Sequence, residues 1–145
     1  MTRPCLLVQD LKRSLSLYEN VLGFRCDYQA SASPDSYLYE VFQLPPQAQL
    51  TFATLSTDRE ARAIALTEVK GIELAKPKPP VRIGLVMEVE DLAATTQQVA
   101  AISLKVIPPH SLNSGPGRNF TEQGIYDFDG NLIVLYEISI TSSED

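Results

Sequence analysis

Residues 8–24, VQDLKRSLSLYENVLGF, and residues 89–105, VEDLAATTQQVAAISLK, align at a constant offset of 81 positions. The matches fall where a strand hands over to a helix. Val8 and Val89 end apolar runs, Asp10 and Asp91 are N-cap residues whose carboxylates can accept a first-turn N–H, and Leu11 and Leu92 begin an inward helical face. In the first copy Leu11, Leu15, Tyr18 and Leu22 recur at helical spacing and Gly23 stops the helix. In the second, Leu92, Thr96, Val99 and Ala100 carry a weaker version of the same face. A repeat of this length marks an architectural unit.

Each helix is preceded by a strand-like run, RPCLLV in one copy and VRIGLVMEV in the other. After the first helix come FRCDYQA, SYLYEVFQL and QLTFATL, and after the second come LKVIPP, RNFTEQGIYDF and NLIVLYEI. The chain is therefore expected to run strand, helix, three strands, twice. That is an α+β fold of two βαβββ modules in a pseudo-twofold arrangement, with curved mixed sheets around a cavity in which a small molecule would sit. The expected organisation is one domain over residues 1–145, with module one at about 3–56, a connecting segment at 57–80 and module two at about 81–139. Within the connection, ARAIALTEV is a candidate edge strand, and the prolines of AKPKPP interrupt any regular ladder.

The stretch DFDGNLIVLYE, residues 127–137, reads as a turn at Asp129-Gly130 followed by a strand. Alternation puts Leu132, Val134, Tyr136 and Ile138 on one face and Ile133, Leu135 and Glu137 on the other. Both faces are mostly apolar, so both are expected to be covered.

A chain of 145 residues buries roughly two-thirds of the surface its unfolded form exposes, and 44% hydrophobic with 21% charged residues is ordinary for a globular domain. The net charge of −6, with 12 scattered basic residues, argues against a nucleic-acid partner and is compatible with a cationic ligand. The opening MTRPCLLVQDLKRS reaches a charge after a short apolar run, which reads as neither a secretory signal nor a membrane span, so a cytoplasmic protein is expected. Cys5 and Cys26 lie outside any CxxC or Cys/His spacing and read as buried thiols.

The helix VQDLKRSLSLYENVLGF and the strand DFDGNLIVLYE together resemble the signatures of the vicinal oxygen chelate superfamily, which includes glyoxalase I, bleomycin-resistance proteins and extradiol dioxygenases. The resemblance covers residues 3–139, nearly the whole chain, as a single glyoxalase/bleomycin-resistance-like domain. Phe128 departs from the usual proline of the turn, and Leu17 replaces a commoner aromatic residue. In the enzymes of this superfamily a divalent metal is held by His or Glu side chains, one from each of four cavity-facing strands. Carried over, the four positions are Arg3, Gln49 (or Thr51 on the same face), Gly84 and Val134. Guanidinium is a permanent cation, Gly and Val offer no donor, and a Gln oxygen is a weak neutral ligand. The resemblance therefore implies the fold with its metal chemistry absent, no cofactor, and a homodimer.

Other chemistry is sparse. The single histidine, His110, lies in PPHSLNSGPGRNF, whose residues 110–118 read as a long loop and a candidate lid. Glu88 shares a face with Gly84 and Val86 and is the one general-base candidate, against a plain reading as an exposed acid near a strand end. Tyr37 and Tyr39, on a shared strand face, and Tyr136 are candidates to stack on a flat ligand, or else core tyrosines with their hydroxyls at water. Arg3 on a cavity face would suit an anionic group. No nucleophile elbow, P-loop or dinucleotide fingerprint occurs.

The expected function is metal-independent binding or sequestration of an apolar or aromatic small molecule in a cavity lined by Arg3, Cys5, Leu7, Tyr37, Tyr39, Gln49, Thr51, Gly84, Val86, Val134 and Tyr136. The alternatives are a glyoxalase-like lyase or dioxygenase with a displaced metal site, a metal-free isomerase using Glu88, and a structural module whose interior is filled.

Overall fold

The computed structural model describes residues 1–113 and 115–140. These form two compact units, Met1–Lys76 and Pro77–Asp145, each with one four-stranded mixed sheet. No helix among the described residues is long and apolar enough to cross a membrane.

In the first unit the elements are β1 (Cys5–Val8), α1 (Leu11–Tyr18), β2 (Arg25–Ser31), α2 (Tyr37–Val41), β3 (Gln49–Ser56) and β4 (Ile64–Lys70). The sheet order is β1-β4-β3-β2, with β1 parallel to β4 and the other pairs antiparallel. Asp10 caps α1 by accepting the N–H of Arg13 at 3.1 Å. The buried stripe Leu11, Ser14, Leu17 and Tyr18 has helical spacing. The helix ends at Tyr18, and the turn after it closes at Gly23, whose φ of +81° an L side chain rarely adopts and whose N–H reaches the Glu19 carbonyl.

Two parts of this unit differ from the sequence reading. SYLYEVFQL holds no strand: residues 37–41 form the short helix α2, capped by Ser36 accepting from the Leu38 N–H. The alternation of YLYEV loses to tertiary packing, because Leu38, Tyr39 and Leu44 lie on a cluster of Ala48, Leu50 and Val69. Nor is IALTEV an edge. β4 lies between β1 and β3, and it takes that place because Ala65, Thr67 and Val69 on one face are as buried as Ile64 and Leu66 on the other. The segment read as a connection thus supplies the strand that joins β1 to the rest of its sheet.

The second unit contains β5 (Gly84–Glu88), α3 (Leu92–Ala101), β6 (His110–Asn113), β7 (Arg118–Tyr126) and β8 (Leu132–Ile140). Its order, β5-β8-β7-β6 with β5 parallel to β8, repeats that of the first sheet. Asp91 caps α3 through the Ala94 N–H, in the manner of Asp10. Asp127 organises the β7–β8 turn: its Oδ1 accepts the N–H groups of Asp129 and Asn131, and its Oδ2 accepts from the Asn131 amide.

The third strand-like run is also displaced here. In LKVIPP only Val106 makes a bridge, to Ile125, since Pro108 and Pro109 have no N–H to give a ladder. The edge strand starts after them, at His110, and β6 pairs antiparallel with Asn119–Glu122 of β7 where the sequence suggested a lid over 110–118, of which Ser114 lies outside the described residues.

Candidate functional site

Each sheet has one face turned to its helix and one turned away, and a carboxylate identifies the helix side in both. Glu68 of β4 accepts the N–H of Leu11, the first residue of α1, at 2.7 Å. Glu137 of β8 accepts the N–H of Leu92, the first residue of α3, at 3.1 Å. Side chains opposite these two acids on neighbouring strands therefore face a helix, and their immediate neighbours in sequence face away.

In the first sheet the far face carries Cys5 and Leu7 of β1, Ala65 and Thr67 of β4, and Phe52 and Thr54 of β3. Cys5 Sγ lies 3.4 Å from Thr67 Oγ1, which places the two side chains together. Ala65, Thr67 and Thr54 are buried. Arg3 is half-buried in the segment leading into β1. Thr51 pairs with Glu68 and Gln49 with Lys70, so both point to the α1 side, opposite to Cys5 and Leu7. They are not where the resemblance would need a ligand. The strand that stands beside β1 as β8 stands beside β5 is β4: Val86 pairs with Val134, and Cys5, at the repeat offset from Val86, pairs with Ala65.

Tyr37 and Tyr39 do not share a strand face. Tyr37 projects from α2 with 70% of its surface exposed, whereas the Tyr39 hydroxyl donates to the Ala48 carbonyl at 2.7 Å and its ring packs on the Ala48–Leu50–Val69 cluster. Cys5 and Cys26 are free thiols. Burial, and then the neighbouring Glu19 carboxylate, raise the Cys26 thiol above its ordinary range, which keeps it protonated and a poor nucleophile.

The second sheet brings most of the predicted residues together. Gly84, Val86 and Glu88 of β5 lie opposite Leu132, Val134 and Tyr136 of β8, all on the face away from α3. Alternate residues of β7 continue that face: Gly124 opposite Val134, Glu122 opposite Tyr136, and Phe120 opposite Ile138. His110 and Leu112 of β6 complete it, opposite Glu122 and Phe120. Phe120 and Tyr136 stack with ring centroids 5.2 Å apart and planes 25° apart, and His110 Nδ1 is 3.5 Å from Glu122 Oε1. The face is open, with Val86 69% and Leu112 43% exposed. Phe120, Glu122, His110 and Leu112 were missed in the sequence. The antiparallel hairpin centred on Asp129 places Glu122 opposite Tyr136 by simple counting, so the first two were within reach, while the other two required the position of β6.

A groove of about 540 Å³ runs beside α1, lined by Leu11, Leu15, Glu19, Gln29 and Glu68 among others. Its acids are engaged structurally, Glu68 with the Leu11 N–H and Glu19 with the Cys26 N–H.

The family model of the Glyoxalase/Bleomycin resistance protein/Dioxygenase superfamily matches residues 2–135. The chain belongs to this superfamily. No curated protein matches it. Among solved structures, a glyoxalase family protein from Bacillus cereus superposes with a TM-score of 0.72 at 18% identity, covering 96% of this chain and 93% of that one. The fosfomycin resistance protein FosX from Listeria monocytogenes, in complex with Mn(II) and sulfate, gives 0.60 at 15% identity over 94% and 90%. The trypanothione-dependent glyoxalase I of Leishmania major gives 0.64 at 18% identity over 94% and 85%. At these identities the likeness concerns the fold.

The residues of this chain do not fit a divalent metal at the positions the superfamily suggests. Arg3, before β1, is a permanent cation, Gly84 of β5 and Val134 of β8 carry no donor, and Gln49 and Thr51 face the α1 side; of the paired neighbours Val86, Cys5 and Ala65, only Cys5 adds a donor, one thiol. Among the described residues no group of three or more His, Cys, Asp or Glu stands where it could hold a metal ion.

Proposed function

We propose that this member of the superfamily binds a small apolar or aromatic molecule without a metal ion, on the face of the second sheet that bears Val86, Val134, Phe120 and Tyr136. The observation that carries the reading is the pairing of Val86 with Val134 on adjacent parallel strands, a hydrocarbon wall at one position where the resemblance would place a metal ligand, with Gly84, the other such position of this sheet, beside it and equally without a donor. The half-exposed Phe120–Tyr136 stack beside it offers area to a flat ligand. The reading includes a homodimer in the cytoplasm, and the exposed Ile83 and Val86 beside and on the edge strand β5 support self-association.

Elemental analysis after incubation of chelator-treated protein with Zn, Ni, Mn and Fe(II), followed by removal of the excess, tests the central claim. Less than about a tenth of an equivalent of each metal is expected. Near one equivalent would overturn it and move the chain toward the chemistry of metal-bearing relatives such as the Mn(II) complex of FosX. Sedimentation at micromolar concentration tests the dimer.

A further inference from the structure

Register aligns four chemically active side chains in a single row across the second sheet. Glu88 of β5 is opposite Tyr136 of β8, Tyr136 is opposite Glu122 of β7, and Glu122 is opposite His110 of β6. Directly opposed Cβ atoms are about 5 Å apart, so Glu88 and Glu122 spring from the positions on either side of Tyr136. Phe120 lies one step along on the same face, stacked on Tyr136, and Leu112 beside it is 43% exposed. The row is thus an aromatic platform with an acid on each side, open to solvent. Of the basic side chains on this face, Arg118 lies four residues from Glu122 along β7, opposite Ile140, while His110 at the outer end has its Nδ1 3.5 Å from Glu122 Oε1, so a cation at Glu122 would share that carboxylate with the imidazole.

An aromatic face is negative and attracts a cation, and a neighbouring carboxylate adds to that attraction while repelling an anion of the same shape. We propose that this face selects a flat organic cation, with its ring on Phe120 and Tyr136 and its positive charge beside Glu122 or Glu88. The inference rests on the reading of the same face as a small-molecule site and adds the charge of the ligand. It accords with the chain's net charge of −6, but the row, and not the total, specifies where the charge acts.

Three probes of one shape and different charge test it: N-methylquinolinium, 1-methylnaphthalene and 1-naphthoate, titrated into the full chain at low ionic strength and followed by calorimetry. The cation is expected to bind about tenfold more tightly than the neutral hydrocarbon, and the anion more weakly than either. Glu122→Gln and Glu88→Gln, both isosteric, should each reduce the preference for the cation about threefold while leaving the neutral probe unchanged. Phe120→Leu should weaken the cation and the neutral probe alike. Equal binding of cation and neutral probe by the wild type, or a cation preference that survives both Gln substitutions together, overturns the assignment of charge and leaves the apolar site standing. Failure of all three probes to bind the wild type overturns both.

Discussion

The carboxylate of Glu68 and the backbone N–H of Leu11 meet at 2.7 Å, and Glu137 repeats the arrangement with Leu92 at 3.1 Å. In each unit the first N–H of the helix is satisfied by an acid from the strand next to the one that feeds it, while an Asp at the N-cap satisfies another. Four N–H groups at a helix start lack partners within the helix, and the helix dipole favours a negative charge there. Glu68→Ala should therefore destabilise the chain by about 1–2 kcal/mol, and Glu68→Gln, which keeps an acceptor but removes the charge, by roughly half as much. Urea unfolding of the three proteins checks the order; an Ala variant as stable as the wild type would contradict the role.

Ser14 lies 1% exposed on the inner face of α1, and its hydroxyl has no hydrogen-bond partner among the described residues. A buried hydroxyl without a partner carries an uncompensated desolvation cost, and Ala is the better helix former. Ser14→Ala is expected to raise stability by about 1 kcal/mol, read as a higher melting temperature. A loss of stability would mean that the hydroxyl is bonded to buried water.

Legibility of the sequence followed the range of the interaction that decides each feature. The caps at Asp10 and Asp91 and the turn at Asp129-Gly130 are each encoded within a few residues, and the repeat at an offset of 81 matches the like strand orders of the two sheets. The five residues of α2 are too few for periodicity to separate helix from strand; the contacts of Leu38 and Tyr39 with Leu50 and Val69 decide, and these are tertiary. The resemblance alone puts Gln49 on the cavity face, and its pairing with Lys70 of β4 turns it to the α1 side. Ile64–Lys70 shows apolar residues on both faces, the pattern of a central strand, so the place of β4 was legible. On the candidate site, alternation alone groups Val86 with Glu88 and Val134 with Tyr136, the register of β5 on β8 joins the two pairs on one face, and His110 could not be placed until Pro108 and Pro109 were seen to delay β6.

Tyr39 separates a core role from a ligand-lining one. Its hydroxyl donates to the carbonyl of Ala48, which is 2% exposed. Tyr39→Phe should cost about 1 kcal/mol of stability, because it leaves a buried acceptor unpaired. Affinity for the flat-ring probes should be unchanged; a change would show that Tyr39 touches the ligand.

Asp27 occupies the bulge where β2 shifts register against β3, and its carboxylate accepts hydrogen bonds from Ser56 and from Thr54, the latter at 2.9 Å. Both hydroxyls are buried, and Ser56 Oγ in turn accepts the Arg62 N–H at 2.7 Å, so one carboxylate ties the bulge to the end of β3 and to the loop before β4. The Ser56 bond, followed by the Thr54 bond, holds the Asp27 carboxyl below its ordinary range. A group with a depressed folded-state pKa binds its proton more readily when unfolded. Its contribution is present above the ordinary carboxylate pKa of about 3.9 and is lost as the pH falls through the folded-state value. Asp27→Asn should abolish this part of the acid sensitivity, so that the difference in stability between variant and wild type is largest above about pH 5 and narrows toward pH 2. Parallel urea titrations across that range give the measurement; a difference that does not vary with pH would show that the bulge is held by shape alone.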